Sequence, residues 1–331
     1  MKQSLQLALL VFATVIGSLI PRAVSLRAAE AHAAEKIWRM GFLSVTPRDS
    51  FHDSFFKGLR EFGYEEGENL TVEWRLAAAN EKRLTEAAAL LAKRRVNVIV
   101  ARGTQATLAA KKATTTIPIV MTGSSDPVGT GLVANLARPG GNVTGMSILA
   151  PDLAQKRLEL LRRTLPVSRI GVLWNPWNTG NVNEWKLTRV AATELKLTLI
   201  PREVRQPKDI YRAFRSLTPQ KIDAVVTLTD AILSTGRTEI VQLAANSRLP
   251  GIFHLRDFVE EGGLMSYGPD LHHSFRRAAY YVHRVFSGAN PAIMPVEQPT
   301  KFELVINLQT AKQMGVTIPT DVLALADNVI R

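Results

Sequence analysis

Short apolar segments alternate with longer amphipathic ones along most of the chain. Residues 37–44, 96–101 and 117–121 are runs of strand length dominated by apolar side chains. Between them, residues 50–62 and 81–95 place apolar side chains at helical spacing. Strands that alternate with helices in this way predict parallel βαβ units, and therefore an α/β fold.

The same order of elements occurs twice. Three segments recur in order, each displaced by about 130 residues along the chain. The pairs are 39–43 with 169–173, 98–100 with 224–226, and 117–118 with 249–250. Because the displacement is nearly constant, the sequence predicts two similar lobes, each built on a Rossmann-like parallel sheet.

The joins between the lobes are rich in turn-forming residues. Residues 138–142 precede a predicted crossing strand, and residues 268–270 precede a long predicted helix. We therefore expect lobe one at residues 34–145, lobe two at 146–267, and a return helix with a C-terminal segment at 268–331 that crosses the hinge. A hinge made of several crossings lets two rigid lobes rotate.

The N-terminal segment is typical of a secretory signal peptide. Lys2 gives a positive start, residues 5–20 are mostly apolar, and residues 31–33 match the small-residue cleavage pattern. The alternative is a membrane anchor, but this apolar run is shorter than the roughly 20 residues that a spanning helix needs. We expect residues 1–33 to be cleaved and the mature chain to be periplasmic.

Composition narrows the chemistry. The chain has 331 residues and no cysteine, which excludes disulfide scaffolds, cysteine-ligated metals, thiol nucleophiles and a lipidated cysteine anchor. Its net charge of +12 comes from basic residues spread singly and in pairs. That spread favours a solvated surface over a nucleic-acid footprint, so we expect no nucleic-acid partner.

Ligands of open parallel sheets bind beyond the carboxyl ends of the strands. Those ends are small, polar and rich in hydroxyl groups here, which suits a small polar molecule held by hydrogen bonds. The candidate ligand-binding residues are Ser44, Thr46, Gly103, Thr104, Gln105, Ser124, Asp126, Asn175, Trp177, Thr229, Asp230 and His254.

Three of these candidates predict recognition of charge. Thr104 is the expected N-cap of a helix over residues 105–113, and Asp126, followed by Pro127, is a second expected helix cap. Helix N-termini favour a carboxylate, while Asp230 on the opposite lobe suits an ammonium group, and together they suit an amino acid. The alternative is that all three residues only cap helices.

Two further candidates have structural alternatives. Trp177 follows a proline in a loop, and it either stacks on an aromatic or apolar ligand or packs between the lobes. His254 ends a predicted strand, where a histidine is more often a satisfied structural residue than a ligand group. The sequence alone does not decide between these roles.

Standard catalytic motifs are absent from the sequence. Residues 123–127 depart from the nucleophile elbow, because Pro127 replaces its second glycine. Residues 129–134 match a dinucleotide fingerprint, but they do not follow the first strand of a unit. Since no metal-binding pattern occurs either, we expect no catalytic residue, no metal, no cofactor and no enzymatic activity.

Four stretches resemble the ABC transporter substrate-binding proteins whose better-understood members bind tryptophan or related amino acids. The second carries Asp126-Pro127-Val128-Gly129 and the run Arg138-Pro139-Gly140-Gly141-Asn142-Val143-Thr144-Gly145, and the third is Gly263-Leu264-Met265-Ser266-Tyr267-Gly268-Pro269-Asp270. The four stretches cover residues 56–69, 117–145, 263–270 and 295–319.

The resemblance implies a type I periplasmic binding protein fold, with two lobes joined by a multi-crossing hinge. It implies a monomer that captures a small molecule between its lobes and then docks on a membrane permease driven by a separate ATPase. By position, the cleft would include Ser44, Thr46, Thr104, Gln105, Ser124, Asp126, Asn175 and Asp230. The Ser124-Ser125 pair departs from many members, so the ligand does not transfer with the fold.

Two alternatives share this architecture. A two-lobe transferase-like enzyme predicts a nucleotide-phosphate site and paired acids in the cleft, and neither is visible in the sequence. A sensory module would share the fold and the cleft but would present its ligand to a receptor. The genes beside this one distinguish the sensory module from a transporter component, which predicts a neighbouring permease and ATPase.

Overall fold

The structure, a computed structural model, describes residues 36–217 and 220–331. The signal peptide predicted at residues 1–33 lies outside the described residues. Within those described ranges, no helix is both long and apolar enough to cross a bilayer.

Five parallel strands form the first sheet: β1 (Trp38–Ser44), β2 (Leu70–Leu76), β3 (Val98–Ala101), β4 (Ile119–Ser124) and β5 (Val143–Ser147). Their order across the sheet is β2-β1-β3-β4-β5. Three helices connect the first four strands: α1 (Ser50–Glu61), α2 (Glu81–Lys93) and α3 (Gly103–Ala113). The order is that of a doubly wound α/β sheet.

Seven strands form the second sheet: β6 (Arg169–Trp174), β7 (Thr198–Glu203), β8 (Ala224–Thr227), β9 (Gly251–Phe253), β10 (Met265–Pro269), β11 (Phe302–Asn307) and β12 (Asn328–Ile330). Their order is β12-β11-β10-β9-β8-β6-β7, and every pair is parallel except β10 with β11. The remaining helices are α4 (Ala150–Thr164), α5 (Thr179–Glu194), α6 (Asp209–Leu217), α7 (Ala231–Thr235), α8 (Arg237–Asn246), α9 (Arg256–Glu260), α10 (Leu271–Phe286), α11 (Leu308–Met314) and α12 (Thr320–Leu323).

The internal repeat is visible in the strand order. Strands β7-β6-β8-β9-β10 repeat the order β2-β1-β3-β4-β5. Side chains repeat as well: Asn97 accepts the Arg39 backbone N–H at 2.8 Å, and Asp223 accepts the Arg169 backbone N–H at 2.8 Å. The prediction of an α/β protein with two Rossmann-like sheets is confirmed.

The chain passes between the two sheets three times. It passes between β5 and α4, between β10 and α10, and between residues 297 and 302. Helix α10 returns to the first sheet and packs on α1, where the ring centroids of Phe275 and Phe51 lie 5.5 Å apart. The domain boundaries at 145/146 and 267/268 stay predictions, because pairing of strands does not show which residues move together.

Helix α1 shows how local sequence builds the first sheet's outer layer. Asp49 accepts the Phe51 backbone N–H at 3.2 Å, and His52 accepts the Asp49 N–H at 3.0 Å, which closes a capping box. Phe51, Phe55 and Leu59 recur every fourth residue and are buried against the core. The helix therefore fixes Asp49 at its start, beside the carboxyl end of β1.

Candidate functional site

A cavity lies where the carboxyl ends of the two sheets face each other. The unoccupied space in the cavity and in its open mouth together is about 490 Å³. The first sheet and the crossing after β5 contribute Arg102, Gly103, Thr104, Gln105, Gly123, Ser125 and Ile148 to its lining. The second sheet contributes Asn178, Thr229, Asp230, Ala231 and Ser234, and helix α10 contributes Leu271 and Phe275. This position is the one expected for a ligand of open α/β sheets.

The structure brings five of the twelve sequence candidates to the cavity wall, namely Gly103, Thr104, Gln105, Thr229 and Asp230. A second group is buried without lining the cavity: Ser44, Thr46, Ser124, Asn175 and His254. Asp126 and Trp177 line two neighbouring grooves instead. Ligand contact by any of the twelve stays a prediction.

Asp230 is a buried carboxylate with neutral partners. Its Oδ1 accepts the backbone N–H groups of Ile232 and Leu233 at 2.8 and 3.3 Å, so it caps helix α7. Its Oδ2 accepts the side-chain amides of Asn175 and Asn178 at 3.1 and 2.9 Å. Burial raises the pKa of Asp230, and these hydrogen bonds oppose the shift. The expected helix cap at Asp230 is therefore present, the residue also lines the cavity, and its contact with an ammonium group stays a prediction.

The predicted helix cap at Thr104 is wrong. Helix α3 begins two residues earlier than predicted, at Gly103, and its N-cap residue Arg102 makes no side-chain cap hydrogen bond. The Thr104 hydroxyl lies 3.1 Å from the Ser124 hydroxyl and accepts the Ser125 backbone N–H at 3.2 Å. The first turn of α3 thus reaches the cavity with its N–H groups uncapped by a side chain.

The predicted helix cap at Asp126 is also wrong, because a turn follows it instead of a helix. Asp126 Oδ1 accepts the Gly129 N–H at 2.8 Å within that turn. Its other oxygen, Oδ2, accepts the side-chain amide of Asn183 on α5 at 2.9 Å. Since Asp126 follows β4 and α5 belongs to the second sheet, this hydrogen bond joins the two lobes across the cleft.

Gly180, near the start of α5, lies close to the first lobe across the cleft. A Cβ atom at Gly180 would lie 2.7 Å from Ser125 Cβ and 2.8 Å from Thr104 Oγ1. Both distances are shorter than ordinary van der Waals contact. The facing arrangement of the lobes therefore requires a residue without a side chain at this position.

Arg102, which the sequence analysis missed, is the one basic residue in the cavity lining of the described chain. Its Nη1 lies 2.7 Å from Asp49 Oδ2 and donates to Thr46 Oγ1 at 2.8 Å. Burial works to raise the pKa of Asp49, but the His52 hydrogen bond and the Arg102 charge outweigh it and leave that pKa lowered. The only sequence signal for Arg102 is a charged residue directly after an apolar strand.

A buried ion pair lies behind the wall of the second sheet. Arg157 Nη1 lies 2.6 Å from Glu184 Oε1, and both side chains are almost completely buried. Glu184 Oε2 accepts the Thr229 backbone N–H at 2.8 Å, while Arg157 Nε donates to the Tyr267 carbonyl at 2.8 Å. The pair therefore connects the cavity residue Thr229 to strand β10, next to a crossing between the sheets.

Trp177 and His254 both have well-defined structural partners. The Trp177 ring is half-buried against core side chains of both lobes, and its backbone N–H donates to Asn175 Oδ1 at 3.0 Å. His254 is fully buried, with Nδ1 2.9 Å from the Thr227 hydroxyl and Nε2 2.9 Å from the Ser234 hydroxyl. Because Ser234 lines the cavity, His254 supports the wall from behind.

The described residues hold no group of three or more His, Asp or Glu side chains placed to bind a metal ion. The polar lining consists mainly of hydroxyl and amide groups, with one carboxylate and one guanidinium. These groups can form hydrogen bonds to a small charged or zwitterionic molecule.

Comparison with known proteins gives the family. The model of the ABC transporter substrate-binding protein family matches residues 37–330. The chain belongs to this family, as the sequence motifs indicated. It is a substrate-binding protein of the ABC transporter type, and such proteins bind small molecules and work with a membrane permease.

Similar proteins include a tyrosine-binding protein of Clostridioides difficile, 28% identical over 268 residues, 80% of this chain and 76% of that protein. A solved conserved domain protein of Vibrio cholerae is 30% identical, covers 89% of this chain and 100% of its own, and has a TM-score of 0.83. A Streptococcus pneumoniae ABC domain in complex with L-Trp is 27% identical, with the same coverage and a TM-score of 0.81.

We predict that His254 makes the protein less stable as the pH falls below about 6.5, the ordinary pKa of histidine. Burial lowers the pKa of His254 well below that value, so the unfolded chain takes up a proton that the folded chain does not. Denaturant unfolding between pH 7.5 and 5.5 should show this loss, up to about 1.4 kcal/mol per pH unit. In His254→Gln the loss of stability between pH 7.5 and 5.5 should be smaller than in the wild type.

His272→Gln is the control with the opposite sign. The Asp257 carboxylate, 3.7 Å from His272 Nε2, raises the pKa of His272. His272 therefore adds stability below about pH 6.5, and this stability is lost as the pH rises. In His272→Gln the protein should therefore lose stability more steeply than the wild type as the pH falls. Equal pH profiles for the wild type and His254→Gln would show that His254 is protonated equally in both states.

Proposed function

We propose that the protein is the extracytoplasmic binding component of an ABC importer and captures an aromatic or apolar amino acid. The ligand lies in the cavity between the two lobes, with its ammonium group at Asp230. The closed protein then delivers it, as a monomer, to a permease driven by a separate ATPase. The protein makes and breaks no bond in the ligand.

The unpaired charge of Asp230 is the observation that carries this proposal. A buried carboxylate is costly unless a cation accompanies it. Among the described residues, the groups that contact the Asp230 carboxylate are two side-chain amides and two backbone N–H groups, all neutral. Arg102, the cation across the cavity, forms its ion pair with Asp49 and interacts with the Asp230 charge only through space. An ammonium group from a ligand supplies the missing charge.

The apolar part of the lining supports an apolar or aromatic ligand side chain. Ile148, Leu271 and Phe275 line the cavity, and all three lie at or near the crossings between the sheets. The names of two similar proteins point the same way, since one is a tyrosine-binding protein and the other was solved with L-Trp. An amino acid also matches the small, hydroxyl-rich remainder of the wall.

Ligand capture proceeds by closure of the lobes about the three crossings. The Asp126–Asn183 hydrogen bond and the approach of Gly180 to Ser125 form only when the lobes face each other. A ligand that contacts Asp230 on one lobe and α3 on the other binds best to that arrangement. Binding therefore shifts the population towards the closed form, which the permease recognises.

Asp230→Asn should lower the affinity for L-tyrosine or L-tryptophan by roughly thirty- to a thousandfold, because truncating one partner of a buried charge pair has effects of that size. The ligand-free variant should be moderately less stable than the wild type, because its new amide N–H group would face other donors where the carboxylate accepts hydrogen bonds from Asn175 and Asn178. Titration calorimetry measures the affinity, and thermal unfolding measures the stability.

Asp152→Asn serves as the matched control, because Asp152 is an exposed acid at the rim of the cleft. It should bind like the wild type. An unchanged affinity in Asp230→Asn would refute the ammonium contact. Failure of the wild type to bind any amino acid would refute the ligand class.

Gly180→Ala should weaken binding by roughly ten- to a hundredfold, since overpacking costs about 1–3 kcal/mol and arises here only in the closed form. The ligand-free protein should keep its stability, because alanine favours the helix more than glycine does. Gly141→Ala is the control, since a Cβ there meets nothing within 4 Å. Equal affinities for all three proteins would contradict the closure mechanism.

A further inference from the structure

The wall of the cavity that belongs to the first sheet contains a donor without an acceptor. Gln105 is only 7% exposed and lines the cavity. Within the described chain, its Nε2 amide has no hydrogen-bond partner. A buried N–H group without an acceptor costs free energy, so this side chain is expected to be completed by a ligand.

Arg102 presents further donors on the same wall. Its contacts with Asp49 and Thr46 both use Nη1, at 2.7 and 2.8 Å, which leaves the Nε and Nη2 groups for another acceptor. The guanidinium carbon lies 5.6 Å from the Phe51 ring and 5.7 Å from the Phe275 ring. These aromatic contacts and the ion pair hold the guanidinium plane in one orientation.

Helix α3 also favours an anion at this wall of the cavity. Arg102 is its N-cap and Gln105 lies three residues further on, so the two side chains sit near each other at the helix N-terminus. The first turn has no side-chain cap and carries the positive end of the helix dipole. A planar anion with two oxygens satisfies all three features.

We propose that Arg102, Gln105 and the first turn of α3 form a subsite for the ligand's carboxylate. The guanidinium binds it through a two-oxygen fork, and Gln105 donates a further hydrogen bond. This subsite rests on the proposed function, because it assumes that the ammonium group is held by Asp230. Arg102 is then the residue that makes the protein select amino acids over the corresponding amines.

Three compounds distinguish the contribution of the ligand's carboxylate from that of its amine. L-Tyrosine carries both charges, tyramine lacks the carboxylate, and 3-(4-hydroxyphenyl)propanoate lacks the amine. The wild type should bind tyrosine more tightly than tyramine by about tenfold or more, the usual effect of hydrogen bonds to a charged group. Calorimetry with each compound gives this ratio directly.

Arg102→Lys keeps the positive charge beside Asp49 but removes the planar fork. It should weaken tyrosine binding by about tenfold or more and leave tyramine within about twofold of the wild type. Gln105→Leu removes only the unpartnered amide and should give a smaller loss with the same selectivity. It also keeps the test decisive if Arg102→Lys does not fold, because the Gln105 Nε2 group has no hydrogen-bond partner in the described chain to lose.

The outcomes distinguish this subsite from the proposed function. Equal losses for tyrosine and tyramine in both variants would overturn the subsite and assign Arg102 a structural role. Tighter binding of tyramine than tyrosine by the wild type would also overturn it, while leaving the Asp230 contact in place. If tyrosine, tryptophan and tyramine all fail to bind the wild type, the proposed function itself fails.

Discussion

The buried carboxylate of Asp230, held by neutral donors alone, is the constraint on which the site depends. Two asparagine amides and the first turn of α7 fix its position at the carboxyl end of β8. They orient the carboxylate without neutralising it. The opposite wall is arranged in the reverse sense, because Arg102 and the N-terminus of α3 face the cavity with donors. The two lobes therefore present opposite charges to the cavity. The second lobe presents the Asp230 carboxylate, and the first lobe presents the Arg102 guanidinium and the N-terminus of α3.

In the proposed function, this arrangement of the two walls is the reason for closure of the lobes. Neither wall alone would hold both ends of a zwitterion, so we expect the full binding energy only when the sheets face each other. The repeated strand order gives each lobe the same frame, and the three crossings connect them. Small groups occupy the line of contact, where Gly180 lies against Ser125 and Thr104. The Arg157–Glu184 pair ties the wall at Thr229 to strand β10 beside a crossing.

Much of this architecture is predictable from sequence, because alternation of apolar strands and amphipathic helices is a local pattern. The same pattern reveals the repeat and the carboxyl ends of the strands. From those ends the sequence correctly predicted that Asp230, Thr229 and Gln105 lie at the cavity. The predictions of Thr104 and Asp126 as helix caps were wrong, because the backbone conformation of one or two residues decides where a helix starts, or whether a turn forms instead. The apolar pattern of the sequence does not specify that conformation. Arg102 and Gly180 were missed for another reason. Their roles depend on partners far away in sequence, which only the packed lobes bring together.

The distance between the lobes, with and without ligand, tests the account most directly. The chain has no native cysteine, so Lys82→Cys on α2 and Arg212→Cys on α6 give one spin label on each lobe. Both side chains are exposed, by 87% and 80%. Saturating L-tyrosine or L-tryptophan should shorten the measured distance between the labels and narrow its distribution. A distance distribution that is identical with and without a ligand shown to bind would contradict capture by closure.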